Sequence, residues 1–173
     1  MKPLEPPNAF HLSAAVGWLM LGDHVQAAEE LEKIAGELRS HPDVLEVRWK
    51  IYANAGKWNT CADIGNAIIE LDPERPFGWI SRACALRRAS SGGFQAAFDA
   101  LYPAAGKFPS EPAIPFNLSC YACQLGRLED ACDWLRRAFA VAHKAGRKKR
   151  FRLMALDEPD LEPLWQKMVE LWR

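Results

Sequence analysis

The sequence predicts an all-α protein: an α-α superhelix, a solenoid of antiparallel helix pairs in a single domain. Three observations carry this. Residues 41–73 read as a complete helix–turn–helix unit. Its punctuating residues recur at a near-constant step along the chain. Prolines, turn glycines and a small-residue stripe all keep that same step.

In the 41–73 unit, Pro42 suits a first helical position, because its φ is fixed and its missing N–H needs no partner there. Leu45, Trp49 and Tyr52 then share one face at i, i+4, i+7, and Gly56 breaks the run. A second helix, Trp58 to Leu71, aligns Cys61, Ile64, Gly65 and Ile68 before Asp72-Pro73 stops it. Neither helix can bury its stripe alone, so neighbours are required.

Upstream, Pro3, Pro6 and Pro7 keep the first residues extended, a helix is predicted from about Asn8 to Leu21, and Gly22-Asp23 ends it. Its partner, from about Val25 to Leu38, carries Ala27, Leu31 and Ile34, with Glu29, Glu30, Glu32 and Lys33 on a wet face. Gly22 and Gly56, Ala27 and Cys61, Leu31 and Gly65, and Ile34 and Ile68 are each 34 residues apart. Pro76 follows Pro42 by the same 34 and opens a helix carrying Trp79, Ala83 and Leu86. After the longer turn at Ser90-Ser91-Gly92-Gly93, a helix from Phe94 to about Lys107 presents Ala97, Leu101 and Ala104, 36 residues beyond Cys61, Gly65 and Ile68. The fourth pair starts near Pro112, turns at Gly126 and places Ala131, Leu135 and Ala138 another 34 residues on. The repeats therefore fall at about 8–41, 42–75, 76–111 and 112–145 within one domain, residues 1–173.

After Ala145 the period fails. A short helix carrying Phe151, Leu153 and Met154 is predicted, then an amphipathic helix from about Asp160 with Leu161, Leu164, Trp165, Met168 and Leu171-Trp172. Residues 146–173 are read as a C-terminal cap over the open end of the stack. The alternative is that Trp165, Met168 and Trp172 face a partner.

On these residues the chain resembles the tetratricopeptide-repeat (TPR) family, whose pattern is W-x₂-L-G-x₂-Y, then A-x₃-F, then P, over 34 residues. The third repeat keeps Trp79, Ala83 and Leu86, and the second keeps Tyr52 and Asp72-Pro73. The second-helix alanine stands as Ala27, Cys61, Ala97 and Ala131. His11, Leu45 and Ile114 replace tryptophan, Arg48 and Arg82 replace leucine, and Trp49 replaces a small residue, so the repeats are degenerate.

The resemblance implies a TPR-like solenoid acting as a protein-interaction scaffold, with first helices lining a concave groove. In family register that partner-binding groove is Leu12, Val16 and Leu19; Glu46, Lys50 and Ala53; Ile80, Cys84 and Arg87; and Phe116, Cys120 and Cys123. Leu12 and Val16 stand where a carboxylate-clamp member of the family has lysine and asparagine, so the implied occupant is an apolar or helical segment of another protein or peptide. The chain's own termini, or a second copy through self-association, are the other occupants considered. Lys50, Arg87 and Glu46 are expected to set orientation at the rim. In size and apolar groove the chain is also similar to the small TPR chaperones of bacterial secretion systems.

Charge balance bounds the partner. Lysine plus arginine equals aspartate plus glutamate, 22 each in 173 residues, so no membrane partner is expected, nucleic acid is not the default partner and any electrostatic function is local. No stretch approaches the ~18 apolar residues of a membrane span, and five cysteines, an odd number, point to reduced thiols in a cytoplasmic protein. One basic cluster stands out: His143, Lys144, Arg147, Lys148, Lys149, Arg150 and Arg152. It reads as a solvated connector that complements a helix C-terminus, with a nucleic-acid accessory role for 143–152 as the alternative.

No enzyme, cofactor or metal site is predicted. Cys120-Tyr-Ala-Cys123 lacks the second C-x₂-C pair of a zinc site and the βαβ setting of a redox motif, so packing thiols are expected. Gly92-Gly93 lacks the Lys-Ser/Thr of a phosphate loop, and His11, His24, His41 and His143 are scattered. Asp157, Glu158, Asp160 and Glu162 read as an acidic helix cap rather than a cation site.

Overall fold

The computed structural model describes residues 2–171. Among these residues the regular structure is helical, in the order α1 (Asn8–Met20), α2 (His24–Glu32), α3 (Pro42–Asn54), α4 (Trp58–Leu71), α5 (Pro76–Arg88), α6 (Phe94–Leu101), α7 (Ala104–Lys107), α8 (Ala113–Gln124), α9 (Leu128–Lys144), α10 (Lys148–Asp157) and α11 (Met168–Leu171). Short 3-10 segments cover Gly36–Leu38 and Pro159–Lys167. The helices pack as consecutive pairs, α1 with α2, α3 with α4 and α8 with α9. No helix among the described residues is long and apolar enough to cross a membrane.

The repeat markers stand at the structural positions the sequence assigns them. Pro42 and Pro76 begin α3 and α5, and the His41 Nδ1 atom accepts the Asp43 N–H at 3.2 Å, capping α3. Gly22, Gly56 and Gly126 all turn with φ between 68° and 80°, a conformation that costs an L side chain strain. Ala27, Cys61, Ala97 and Ala131 are each 0% exposed, so the recurring small residue of each second helix lies in the core.

The contacts divide the chain into two compact units, Met1–Ala85 and Leu86–Arg173, with the division inside α5. In the first unit Ala15, Leu31, Ile34, Val44 and Val47 form a core against which Leu4, Leu12, Leu19, Leu38 and Ile51 lean. Gly65 lets α5 come so close that a Cβ there would lie 2.8 Å from the Arg82 Cα. In the second unit Leu101, Ile114, Leu118, Tyr121, Leu135, Leu161 and Leu164 are each 0% exposed. The Ser119 hydroxyl, also buried, donates to the Ala131 carbonyl at 2.8 Å and ties α8 to α9.

Several elements differ from the sequence expectation. The second helix stops at Glu32 rather than Leu38, because Ala35 turns extended and gives its N–H to Asn8 Oδ1 at 2.9 Å, while the Arg39 guanidinium binds the Ile34 and Glu32 carbonyls. The helix expected over 94–107 is divided into α6 and α7 at Tyr102-Pro103, where proline supplies no N–H to the ladder. The amphipathic α-helix expected from Asp160 is mostly a 3-10 segment containing Pro163. On α3 the fully buried residues are Pro42, Val44 and Val47, whereas Leu45, Trp49 and Tyr52 are half-buried, Trp49 meeting Phe77 edge-on at 5.9 Å. Of the three residues assigned to the short helix, Phe151 is buried and Leu153 and Met154 are exposed. Trp172 lies outside the described residues.

Candidate functional site

The first-helix residues expected to line a groove fall into two different settings. In the first unit they sit on α1, α3 and α5. Leu12 and Leu19 are half-buried against the core, while Val16 is 40% exposed. Ile80 and Cys84 of α5 are half-buried, Lys50 is exposed and Ala53 is half-buried. Glu46 accepts from Lys50 Nζ at 2.9 Å and lies 3.6 Å from Arg75 Nη1, which also pairs with Asp43 at 2.6 Å. Lys50 Nζ stands 5.7 Å from the centroid of the Phe77 ring. The polar part of this face is therefore a prearranged network: a cation over an aromatic ring, held by a carboxylate that a buttressing arginine fixes in turn.

In the second unit the corresponding residues are covered by the chain itself. Phe116, Cys120 and Cys123 on α8 are 4%, 2% and 3% exposed. Phe116 meets Phe151 of α10 edge-on at 5.6 Å, and Gln124 Nε2 donates to the Asp160 carbonyl at 3.0 Å. Arg87, expected at the rim, instead pairs with Asp160 at 2.5 Å and lies 5.2 Å from the Phe94 ring. Residues 148–171 thus occupy the face of α8 that the family register assigned to a partner. Of the occupants considered, the chain's own C-terminal segment is the one that fills this part.

Burial sets the chemistry of the sulfurs. Desolvation pushes the Cys120 thiol well above its usual range, helped by the nearby Glu158 and Asp160 carboxylates. It raises Cys123 to about 11, with Cys132 and Asp160 adding to the effect. Cys61 is raised by burial too, and its Sγ lies 3.7 Å from the Trp49 carbonyl. A thiol held this far from ionisation is a poor nucleophile and a poor metal ligand at neutral pH. Among the described residues no group of three His, Cys, Asp or Glu side chains is placed to hold a metal ion.

The acidic run does not act as a uniform helix cap. Glu158 accepts the Asp160 N–H at 3.4 Å, as a cap should. Asp160 itself is buried beside Arg87, and burial raises its carboxyl above the usual range although Arg87 opposes the shift. No local signal marks Asp160, because its partner is distant in sequence and the pairing depends on where the C-terminal segment lands. Trp165 donates its indole N–H to the Ala155 carbonyl at 3.1 Å and Met168 is buried, so both are engaged within the unit. In the basic cluster, His143 and Lys144 occupy the last turn of α9, Arg147 precedes α10, and Lys148, Lys149 and Arg150 form the first turn of α10.

No protein-family model matches the chain, and no curated protein matches it. Solved structures do. TTC0263, a thermophilic TPR protein of Thermus thermophilus, superposes with a TM-score of 0.68 at 16% identity, covering 95% of this chain and 96% of that one. A crystal structure of MamA gives 0.66 at 16% identity over 95% and 87%, and the MSR-1 form of MamA gives 0.63 at 18% over 80% and 78%. At such identities the likeness speaks to architecture, and it agrees with the 34-residue register of prolines, glycines and small residues. The chain has the tetratricopeptide-repeat fold.

Proposed function

We propose that the chain, as one domain of four repeats and a C-terminal cap, is a non-catalytic interaction scaffold that binds an apolar or helical segment of another protein. Its adhesive surface is the first-helix face of residues 1–85, with Val16, Ile80 and Cys84 as the contact residues and Lys50 and Glu46 setting the partner's orientation. The observation that carries this reading is the contrast between Val16, 40% exposed on α1, and Phe116, 4% exposed beneath the chain's own C-terminal segment. A surface already packed in the chain offers nothing to a partner, whereas exposed aliphatic carbon on α1 and an ordered ion pair on α3 offer burial and direction.

The test is affinity capture with the chain and with a Val16→Glu/Ile80→Glu double variant, washed at low and at high salt. The expected result is a partner that survives high salt on the parent chain and is lost from the variant, because apolar burial is little screened. Equal capture by the variant would refute the assignment of this face.

A further inference from the structure

Beyond the scaffold reading, and independent of it, we infer that α10 with the turn before it is a docking surface for an anionic lipid bilayer. The basic cluster is too concentrated to be a mere connector. His143 and Lys144 do complement the negative end of α9, but Lys148, Lys149 and Arg150 sit at the positive end of α10, where added cations are disfavoured. Among the described residues none of Lys144, Arg147, Lys148, Lys149 and Arg150 is engaged in an ion pair. Lys144, Arg147, Lys149 and Arg150 are exposed, so their charges are available to an external anion.

The rest of the exposed side of α10 identifies that anion's setting. Phe151 and Ala155 are buried and anchor the helix. On the opposite side Leu153 is 53% exposed, Met154 37% and Leu156 41%. Helical spacing puts Arg150 beside Leu153 and Met154, and Lys149 beside Leu153. Cationic and aliphatic tips therefore alternate over one surface, as a headgroup–acyl boundary requires. A hollow of about 540 Å³ on this side is lined by α10 and the turn before it alone, with three cations, Arg147, Lys149 and Arg150, beside Leu153, Met154 and one carboxylate, Asp157. With no second wall, the face does not form a groove for a partner helix, whereas a deformable bilayer needs none. Nucleic acid fits less well: the cluster's one aromatic ring, Phe151, is 4% exposed, which leaves no stacking platform.

The experiment is co-sedimentation of the full chain with vesicles of pure phosphatidylcholine and with vesicles of equal parts phosphatidylcholine and phosphatidylserine. The expected result is binding to the anionic vesicles alone, reduced at least about tenfold by Lys149→Glu/Arg150→Glu. A second variant, Leu153→Ser/Met154→Ser, is expected to lower vesicle binding about threefold while leaving retention on a heparin column unchanged. Both variants alter exposed positions, and an unchanged far-ultraviolet circular dichroism melt verifies their fold. Absence of binding to the anionic vesicles would overturn the proposal. So would full vesicle binding by the serine variant, which would reassign the patch to a simple polyanion site for duplex DNA or an acidic protein.

Discussion

The two units of the chain share one construction principle and use their first helices in opposite ways. In residues 1–85 the faces of α1, α3 and α5 keep Val16 and Lys50 exposed and leave Ile80 and Cys84 half-buried. In residues 86–171 the matching face of α8 is closed by α10 and the 3-10 segment, which bury Phe116, Cys120 and Cys123. The repeat register assigns corresponding positions on successive first helices, while in the second unit the non-repeating tail decides which of them stay exposed. Residues after 145 carry no period, so nothing in the repeat itself foretells their landing place.

Loosening the cover on α8 tests this contrast most severely. Leu161→Ala leaves a cavity under a fully buried side chain, and a loss of about 3 kcal/mol is expected in urea unfolding, with faster thiol labelling at Cys120. In the first unit the corresponding lever is close helix approach. Gly65→Ala drives a Cβ onto backbone, 2.8 Å from the Arg82 Cα, and about 2 kcal/mol of destabilisation is expected by the same measurement.

Smaller effects separate the two polar networks. Asp160→Asn replaces a carboxylate whose ionisation is disfavoured by burial more than Arg87 favours it, so at neutral pH the variant is expected to stay within about 1 kcal/mol of the parent chain. Because the native Asp160 carboxyl is raised, the folded chain binds its proton more tightly than the unfolded chain does. The Asp160 contribution to stability therefore falls as pH rises from the ordinary carboxylate range through the raised native value. The asparagine variant should lack that segment of the stability–pH curve, and an unchanged curve would dissociate Asp160 from it. Lys50→Ala breaks a partly exposed pair with Glu46 and should change stability by no more than about 0.5 kcal/mol. If Lys50 orients a partner, the same variant weakens capture far more than it weakens the fold.

Much of the fold was legible because its constraints are local. Pro42 and Pro76 start helices through their own backbone chemistry, and Gly22, Gly56 and Gly126 turn the chain through a conformation suited to glycine. Ala27, Cys61, Ala97 and Ala131 mark the buried side of each second helix by their recurrence. What escaped the sequence depends on distant partners. The end of α2 is set by Asn8 and Arg39, and the fate of Arg87 by Asp160. The exposure of Leu153 and Met154 follows from Phe151 and Ala155 taking the inward side of α10. The exposure of Val16 and the burial of Phe116, Cys120 and Cys123 do not follow from the repeat register, because covering is a tertiary event.

The most direct test of an open first-helix face in one unit and a closed one in the other is site-resolved thiol labelling. Native protein is treated with iodoacetamide at mildly alkaline pH, and modification at each cysteine is followed by peptide mass spectrometry. Cys84, half-buried on α5, is expected to label at least about tenfold faster than Cys120 and Cys123, whose access and ionisation are both suppressed by burial. Labelling of Cys120 and Cys123 at the rate of Cys84 would contradict the account.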